Sequence, residues 1–145
     1  MEIRILNKED AQTIADLERR AFSDPWSLKS VEGTLCQKDY INLGVWREGK
    51  LLGYLFFSCI LDEGEIIRIA VEPDERRQGI AANLFQELRK KCLEKGIFKW
   101  LLDVRVGNEA ALACYRKIGF CEDGRRKAFY KDPVEDAILM SCELR

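Results

Sequence analysis

The sequence predicts a single α/β domain over residues 1–145, built on a mixed, mostly antiparallel sheet with flanking helices. Three observations lead to this fold class. The chain has 145 residues, a length that suits one domain with its own hydrophobic core. Apolar residues alternate in some segments and recur at helical spacing in others. Short turns join strands on either side of a central strand–helix–strand unit, and such a unit requires one parallel pairing.

Each predicted helix has a local signal at one of its ends. Asn7, Ser27 and Asn108 precede helical patterns as N-caps, and Gly96 and Gly119 follow helices as stop signals. The predicted elements, in order, are strand 3–6, helix 9–21, a turn at 24–26, a helix from 27 to 35, strands 42–46 and 51–60 joined by a hairpin turn at 47–50, strand 65–71, helix 79–95, strand 100–104, helix 108–118 and an antiparallel pair at 121–129 and 137–143.

Composition excludes several classes of function. The chain has 24 basic and 25 acidic residues, without the basic excess typical of nucleic-acid binders. It has no signal-peptide pattern, and no apolar run approaches the ~18 residues of a membrane span. We therefore expect a cytoplasmic protein that does not associate with a membrane. There is no histidine, which rules out His-based triads and His-ligated zinc. The six cysteines form no CxxC pair, and we expect them to be reduced and mostly buried.

The loop before the longest predicted helix has the residues of a phosphate site. A strand ending in Ile69-Ala70-Val71 leads through a proline turn into Arg76-Arg77-Gln78-Gly79, and the helix begins with Ile80-Ala81-Ala82. A helix start offers free N–H groups and the positive end of the helix dipole. Gly79 permits a close backbone approach, and arginine binds phosphate well. An ordinary surface turn with solvated arginines is the alternative interpretation.

A second motif follows on the next strand and helix. Asn108-x-x-Ala111 begins the predicted helix, and Tyr115-x-x-x-Gly119-Phe120 ends it. Together with Arg76-x-x-Gly79-x-Ala81, this motif resembles the signature of the Gcn5-related N-acetyltransferases, in the same order and spacing and on the same elements. The resemblance implies the acetyltransferase fold and acetyl-coenzyme A (acetyl-CoA) as cosubstrate, with no metal.

The resemblance also implies roles for individual residues. In the family, the backbone of the central strand pairs with the pantetheine amides, the following loop binds the pyrophosphate, and an asparagine contacts the cofactor arm. The cofactor-binding residues implied here are Ile69, Ala70, Val71, Arg76, Arg77, Gln78, Gly79, Ile80, Ala81, Ala82 and Asn108. Tyr115 is implied to point at the cofactor sulfur and to protonate it. From the residues alone, Asn108 is equally a helix cap, and Tyr115 could be a core aromatic.

Four further segments narrow the resemblance to a subfamily. They are Phe22-x-x-Pro25-Trp26-Ser27, Leu61-Asp62-Glu63, Asp103-Val104-Arg105 with Asn108, and Glu135-Asp136-Ala137-Ile138. Together they look like the bacterial ribosomal-protein-alanine N-acetyltransferases, and the resemblance spans essentially the whole chain. It implies transfer of acetyl to the N-terminal amine of a small-subunit ribosomal protein as the acceptor partner, with no direct role for nucleic acid.

Asp103 stands where the family has a glutamate as catalytic base. The missing methylene shortens its reach by roughly 1.3 Å. In one interpretation, Asp103 takes part in the chemistry as the base or through an ordered water, or another carboxylate assists it, with Glu63 and Glu65 as the candidates. In the other interpretation, Asp103 pairs with Arg105 on the same strand face and has no catalytic role.

Two acidic clusters could form the rim of an acceptor groove and attract the positively charged N-terminus of a peptide. Runs of charge are, however, more often solvated loops. The clusters are Asp62, Glu63 and Glu65, and Asp132, Glu135 and Asp136. Tyr130 and Trp26 could line the same groove, and Trp26 is equally well explained as a packing anchor. Three rival functions stay open: an acetyltransferase for small amines, a non-catalytic acyl-CoA sensor or ribosome-assembly partner, and a structural α/β module.

Overall fold

A seven-stranded mixed sheet crosses the whole protein in the computed structural model, which describes residues 1–145. The strands are β1 (Glu2–Ile5), β2 (Tyr40–Arg47), β3 (Lys50–Ile60), β4 (Glu63–Val71), β5 (Lys99–Arg105), β6 (Cys121–Tyr130) and β7 (Glu135–Glu143). Their order is β1-β2-β3-β4-β5-β7-β6, and only β4 and β5 are parallel neighbours. The predicted fold class is confirmed.

Four helices begin and end near the predicted signals. They are α1 (Ala11–Ala21), α2 (Leu28–Leu35), α3 (Ile80–Lys95) and α4 (Glu109–Ile118). Ser27 caps α2 by accepting from the Ser30 N–H at 3.1 Å, and Asn7 caps a 3₁₀ turn that leads into α1. Gly96 ends α3 with a φ of 77°, a left-handed conformation that favours glycine. No helix is both long enough and apolar enough to cross a membrane.

The helices cover both faces of the sheet, so the core has two layers. Alternate residues of β3 point to opposite faces, with Leu55 in one core and Tyr54 and Phe56 in the other. The larger core lies under α3 and α4 and includes Leu84, Phe85, Trp100, Leu102 and Phe120. The smaller core lies under α1 and includes Ile14, Leu17, Tyr54 and Phe56.

The parallel pairing of β4 with β5 is short. It comprises Glu63 with Lys99, Gly64 with Trp100 and Glu65 with Leu101, and it stops there. Beyond this point β4 stays paired with β3, while β5 stays paired with β7. The facing edges of β4 and β5 therefore have no strand partner after Glu65 and Leu101, and we call the gap between them the central cleft.

Two expectations about the chain need correction. Only Cys92 and Cys142 are buried, whereas Cys36 and Cys121 are exposed, although all six thiols are free. Cys121 is exposed because it lies on β6, an edge strand without a buried residue. In addition, Pro73–Glu75 forms a 3₁₀ turn where only a proline turn was predicted.

A buried ion pair fixes the position of α1 relative to β4. The Glu18 side chain is fully buried, and its carboxylate accepts from Arg68 at 2.7 and 3.0 Å. The same carboxylate accepts from the Trp26 N–H at 2.8 Å, which holds the turn between α1 and α2. The Arg68 guanidinium also lies 3.8 Å from the centre of the Phe22 ring, within cation–π range.

We predict that Glu18→Gln lowers the free energy of unfolding by about 3–5 kcal/mol, the usual cost of breaking a buried pair from one side. Urea denaturation followed by circular dichroism measures the effect. Asp16→Asn on the exposed face of α1 is the matched control and should change stability by less than ~0.5 kcal/mol. Equal effects of the two substitutions would contradict the structural role of Glu18.

Candidate active site

Two arginine–carboxylate pairs anchor the loop between β4 and α3. Glu72, which is 4% exposed, accepts from Arg20 of α1 through both carboxylate oxygens, at 2.8–3.1 Å. Glu75 accepts from Arg47 of β2 at 2.8 and 2.9 Å, and this hydrogen-bonded guanidinium lowers the pKa of Glu75. Because these two loop carboxylates are neutralised by partners outside the loop, they do not cancel the charges of the loop's own arginines.

The rest of this loop is free to bind an anion. No backbone N–H from Arg76 to Ala82 donates a hydrogen bond to the protein. Arg77 and Gly79 both have left-handed φ angles, 66° and 79°, which turn the backbone into the start of α3. The side chains of Arg76 and Arg77 are exposed and form no ion pair. Converging N–H groups, the helix dipole and two free guanidinium groups are the features of a phosphate site.

The central cleft begins beside this loop. Ile69, Ala70 and Val71 lie in the part of β4 beyond its pairing with β5. Their backbone groups on the β5 side therefore have no strand partner, and an extended chain with amide groups could pair with them as a strand would. This placement agrees with the role that the resemblance implied for these three residues.

Tyr115 of α4 is half-buried near the larger core. Its ring packs against Phe120 at 5.8 Å and Phe85 at 6.2 Å between ring centroids, and its hydroxyl has no hydrogen-bond partner. Burial, followed by the neighbouring Cys114 and Tyr130, raises the pKa of Tyr115 above its ordinary value. The ring thus contributes to the core, while the hydroxyl stays protonated and available as a donor.

Asp103 is exposed on β5 and makes no hydrogen bond or ion pair. The interpretation that it pairs with Arg105 is wrong, because Arg105 binds elsewhere. The Arg105 guanidinium donates to Glu135 at 3.1 Å and to the carbonyls of Lys131 and Pro133, both at 3.0 Å. It also lies 4.5 Å from the centre of the Tyr130 ring. Asp103 is therefore left free to interact with a substrate.

Glu135 joins the two loops beside Asp103. Besides its pair with Arg105, its carboxylate accepts from the Gly107 N–H at 2.7 Å, just before α4. Asp136 accepts from the Ala128 N–H at 2.8 Å. The second predicted acidic cluster is thus mostly structural, since two of its three carboxylates hold the β6–β7 hairpin. No local pattern in the sequence indicates this structural role, because the partners lie up to 30 residues away.

Glu65 and Tyr130 lie near Asp103 on the same side of the sheet. Partial burial, and then the charge of Asp103, raises the pKa of Glu65, while Arg126 opposes this shift. Burial, and then the charge of Asp103, likewise raises the pKa of Tyr130.

Trp26, the other aromatic residue predicted to line the groove, stacks on Phe56 with ring centroids 5.9 Å apart, which supports its role as a packing anchor.

Asn108 caps α4, as the sequence predicted. Its side-chain oxygen accepts from the Ala111 N–H at 3.2 Å. The amide NH₂ group has no partner in the protein, so the cap leaves both of its donors free. The two interpretations of Asn108 are therefore compatible, and its contact with a cofactor stays a prediction.

A phosphate loop at a helix start beside an open strand edge and a free carboxylate indicates the class of acyl-CoA-dependent transferases. Comparison with known proteins agrees: the acetyltransferase (GNAT) family profile matches residues 11–120, and the chain belongs to this family.

Individual relatives are similar over nearly their whole length. The [ribosomal protein bS18]-alanine N-acetyltransferase of Escherichia coli is 33% identical over 98% of this chain and 97% of its own. The enzyme of the same name from Haemophilus influenzae is 30% identical over 93% of each chain. A crystal structure of the ribosomal-protein-S18-alanine N-acetyltransferase from Escherichia coli superposes with a TM-score of 0.92 at 32% identity, over 99% of this chain and 93% of that one.

Proposed function

We propose that this protein transfers the acetyl group of acetyl-CoA to the N-terminal α-amine, with alanine as first residue, of a small-subunit ribosomal protein. The full-length likeness to the Escherichia coli [ribosomal protein bS18]-alanine N-acetyltransferase carries the proposal, because it extends beyond the cofactor site to both ends of the chain. The free carboxylates beside the central cleft supply the chemistry that an amine acceptor needs.

The acetyl-CoA substrate would bind along the loop and the cleft. The free N–H groups from Arg76 to Ala82 and the unpaired guanidinium groups of Arg76 and Arg77 would hold the pyrophosphate. The open edge of β4 at Ile69–Val71 would pair with the pantetheine amides, and the Asn108 NH₂ group would donate to the same arm. Gln78 adds a side-chain donor beside the pyrophosphate.

The proton chemistry favours an α-amine over a lysine as acceptor. An α-amine has a reference pKa near 7.7–8.0, against ~10.4 for lysine. Deprotonation at pH 7 therefore costs about 1 kcal/mol for an N-terminus and about 4.6 kcal/mol for a lysine, at ~1.36 kcal/mol per pKa unit. Asp103 has a short side chain, which reaches the amine directly or through a water. Such a base meets the smaller deprotonation cost of an α-amine more easily than the larger cost of a lysine.

The reaction needs no covalent enzyme intermediate. The neutral amine attacks the thioester carbonyl, and backbone N–H groups on the open edge of β4 would stabilise the oxyanion. As the C–S bond breaks, Tyr115 gives its hydroxyl proton to the departing sulfur. Burial raises the pKa of Tyr115, so its hydroxyl carries a proton in the resting enzyme.

Acceptor preference is the direct test. The protein is incubated with acetyl-CoA and three acceptors: a peptide beginning with alanine, the same peptide with a blocked N-terminus and an internal lysine, and spermidine. Mass spectrometry should show acetylation of the first peptide alone, on its first residue, because only its amine is cheap to deprotonate. A higher kcat/KM for spermidine or for the lysine would contradict the proposal.

Tyr115→Phe tests the acid role. We expect kcat to fall more than tenfold, within the ~10²–10⁴-fold range of general acid–base catalysis, while the affinity for coenzyme A stays unchanged. Steady-state kinetics and calorimetric titration measure the two quantities. Tyr40→Phe on β2, which lies outside the central cleft, is the matched control and should leave kcat unaltered. An unchanged kcat in Tyr115→Phe would remove this phenol from the mechanism.

A further inference from the structure

The part of β4 that borders the central cleft lies in the middle of the sheet but has a strand neighbour on one side only. Ile69–Val71, which we call the open segment, pairs with β3 and has no partner on the side of β5. The register with β3 also shifts between Ile66 and Arg68, which leaves Ile67 as a bulge just before the open segment. A bulge interrupts the ladder of hydrogen bonds and bends the strand. Contacts other than strand pairing must therefore help to hold the open segment in place.

Two ion pairs join α1 to the residues on either side of the open segment. Arg68, just before it, donates to the buried Glu18 carboxylate at 2.7 and 3.0 Å. Glu72, just after it, accepts from Arg20 at 2.8–3.1 Å. Between them, Ala70 packs in the smaller core under α1. The helix is thus attached to β4 at both ends of the open segment.

The two ion pairs have opposite polarity. The helix supplies the carboxylate at one end of the open segment and the guanidinium at the other. A shift of α1 along the strand would therefore move Arg20 towards Arg68, or Glu18 towards Glu72, and like charges would repel each other. In addition, each arginine donates through two nitrogens to both oxygens of its carboxylate, which fixes direction as well as distance. The pairs thus define the position of the open segment both along the strand and across it.

We propose, on the basis of the function proposed above, that Arg20 and Glu72 are positioning residues for acyl transfer. They act through the backbone of the open segment, which they hold where its N–H groups can stabilise the oxyanion formed from the thioester carbonyl. The helix α1 thereby replaces the neighbouring strand that β4 lacks beside the central cleft. A displacement of about 1 Å in such a group can lower the rate about 100-fold, so the ion pair should control kcat as well as the binding of acetyl-CoA.

The Arg20–Glu72 pair can be removed without leaving a buried charge alone. The Arg20 side chain is 49% exposed, whereas that of Glu72 is only 6% exposed. Loss of the arginine charge alone would leave the Glu72 carboxylate buried and unpaired, which destabilises a fold. Replacing both residues by methionine removes both charges and keeps unbranched side chains, and exchanges of this kind are often neutral for stability. Arg20→Met/Glu72→Met therefore separates an effect on position from an effect on stability.

The experiment measures kcat with an alanine-initiated peptide at saturating acetyl-CoA, the thermal unfolding midpoint, and amide hydrogen exchange in the open segment. We expect Arg20→Met/Glu72→Met to lower kcat at least about fivefold and to speed up exchange in the open segment, with the midpoint nearly unchanged. Arg20→Lys keeps the charge but loses the two-nitrogen contact, and its kcat should lie between those of the double variant and the unaltered protein. Asp16→Asn/Arg19→Met removes an exposed ion pair from the same helix, and this matched control should keep kcat within about twofold.

A second comparison tests whether the place of the ion pair matters. Arg47→Met/Glu75→Met removes the other anchor of the phosphate loop, which lies beyond the open segment. Because Glu75 is not adjacent to the open segment, we expect this variant to raise the Kd for coenzyme A and to lower kcat less than Arg20→Met/Glu72→Met does. Hydrogen exchange in the open segment should stay as it is in the unaltered protein.

Three results would overturn the assignment. An unchanged kcat in both Arg20 variants would show that the pair does not position the reacting groups. A loss confined to the KM for acetyl-CoA would show that the pair only shapes the phosphate loop. An equal or larger kcat loss in Arg47→Met/Glu75→Met would show that the loop as a whole controls kcat. If the unaltered protein shows no turnover, the proposed function fails, and hydrogen exchange in the open segment still decides whether α1 supports it.

Discussion

The short parallel pairing of β4 with β5 is the constraint on which the site depends. Three register pairs join the two strands, and beyond Glu65 and Leu101 each strand keeps only its outer neighbour. Because β3 holds β4 and β7 holds β5, the sheet stays continuous at one end and opens at the other. On β4, this opening leaves a strand edge unpaired beside the phosphate loop. On β5, it leaves the carboxylate of Asp103 free. A longer pairing would stabilise the sheet and close the cleft.

Ion pairs hold each wall of this opening. Arg20 and Arg47 neutralise Glu72 and Glu75 at the base of the phosphate loop, so that the exposed arginines remain available to a diphosphate. On the other wall, Glu135 and Arg105 tie the β6–β7 hairpin to the start of α4, which leaves Asp103 without a competing partner. Arg20 and Arg47 each donate through two nitrogens to both oxygens of their carboxylate, which fixes direction as well as distance. Arg105 instead divides its donors between Glu135 and two backbone carbonyls.

Local signals in the sequence predicted the elements and the cofactor loop well, because caps, glycine stops and strand–loop–helix motifs act over a few residues. Ser27, Asn108 and Gly96 behave as predicted, whereas Asn7 caps the 3₁₀ turn that leads into α1 and not α1 itself. The sequence did not predict contacts between distant segments. The insertion of β7 between β5 and β6 and the Arg20–Glu72 pair, 52 residues apart, depend on how the whole chain packs. The separation of Asp103 from Arg105 likewise required the contacts that Arg105 makes with the β6–β7 hairpin.

The central claim is that the free amides from Arg76 to Ala82 bind the diphosphate of coenzyme A. Titration of ¹⁵N-labelled protein with coenzyme A, followed by ¹⁵N–¹H correlation spectra, measures this directly. The account predicts that the largest amide shifts fall in this loop and that smaller ones follow at Ile69–Val71 on β4. Saturable binding with the loop amides unmoved, or with the largest shifts elsewhere, would contradict it.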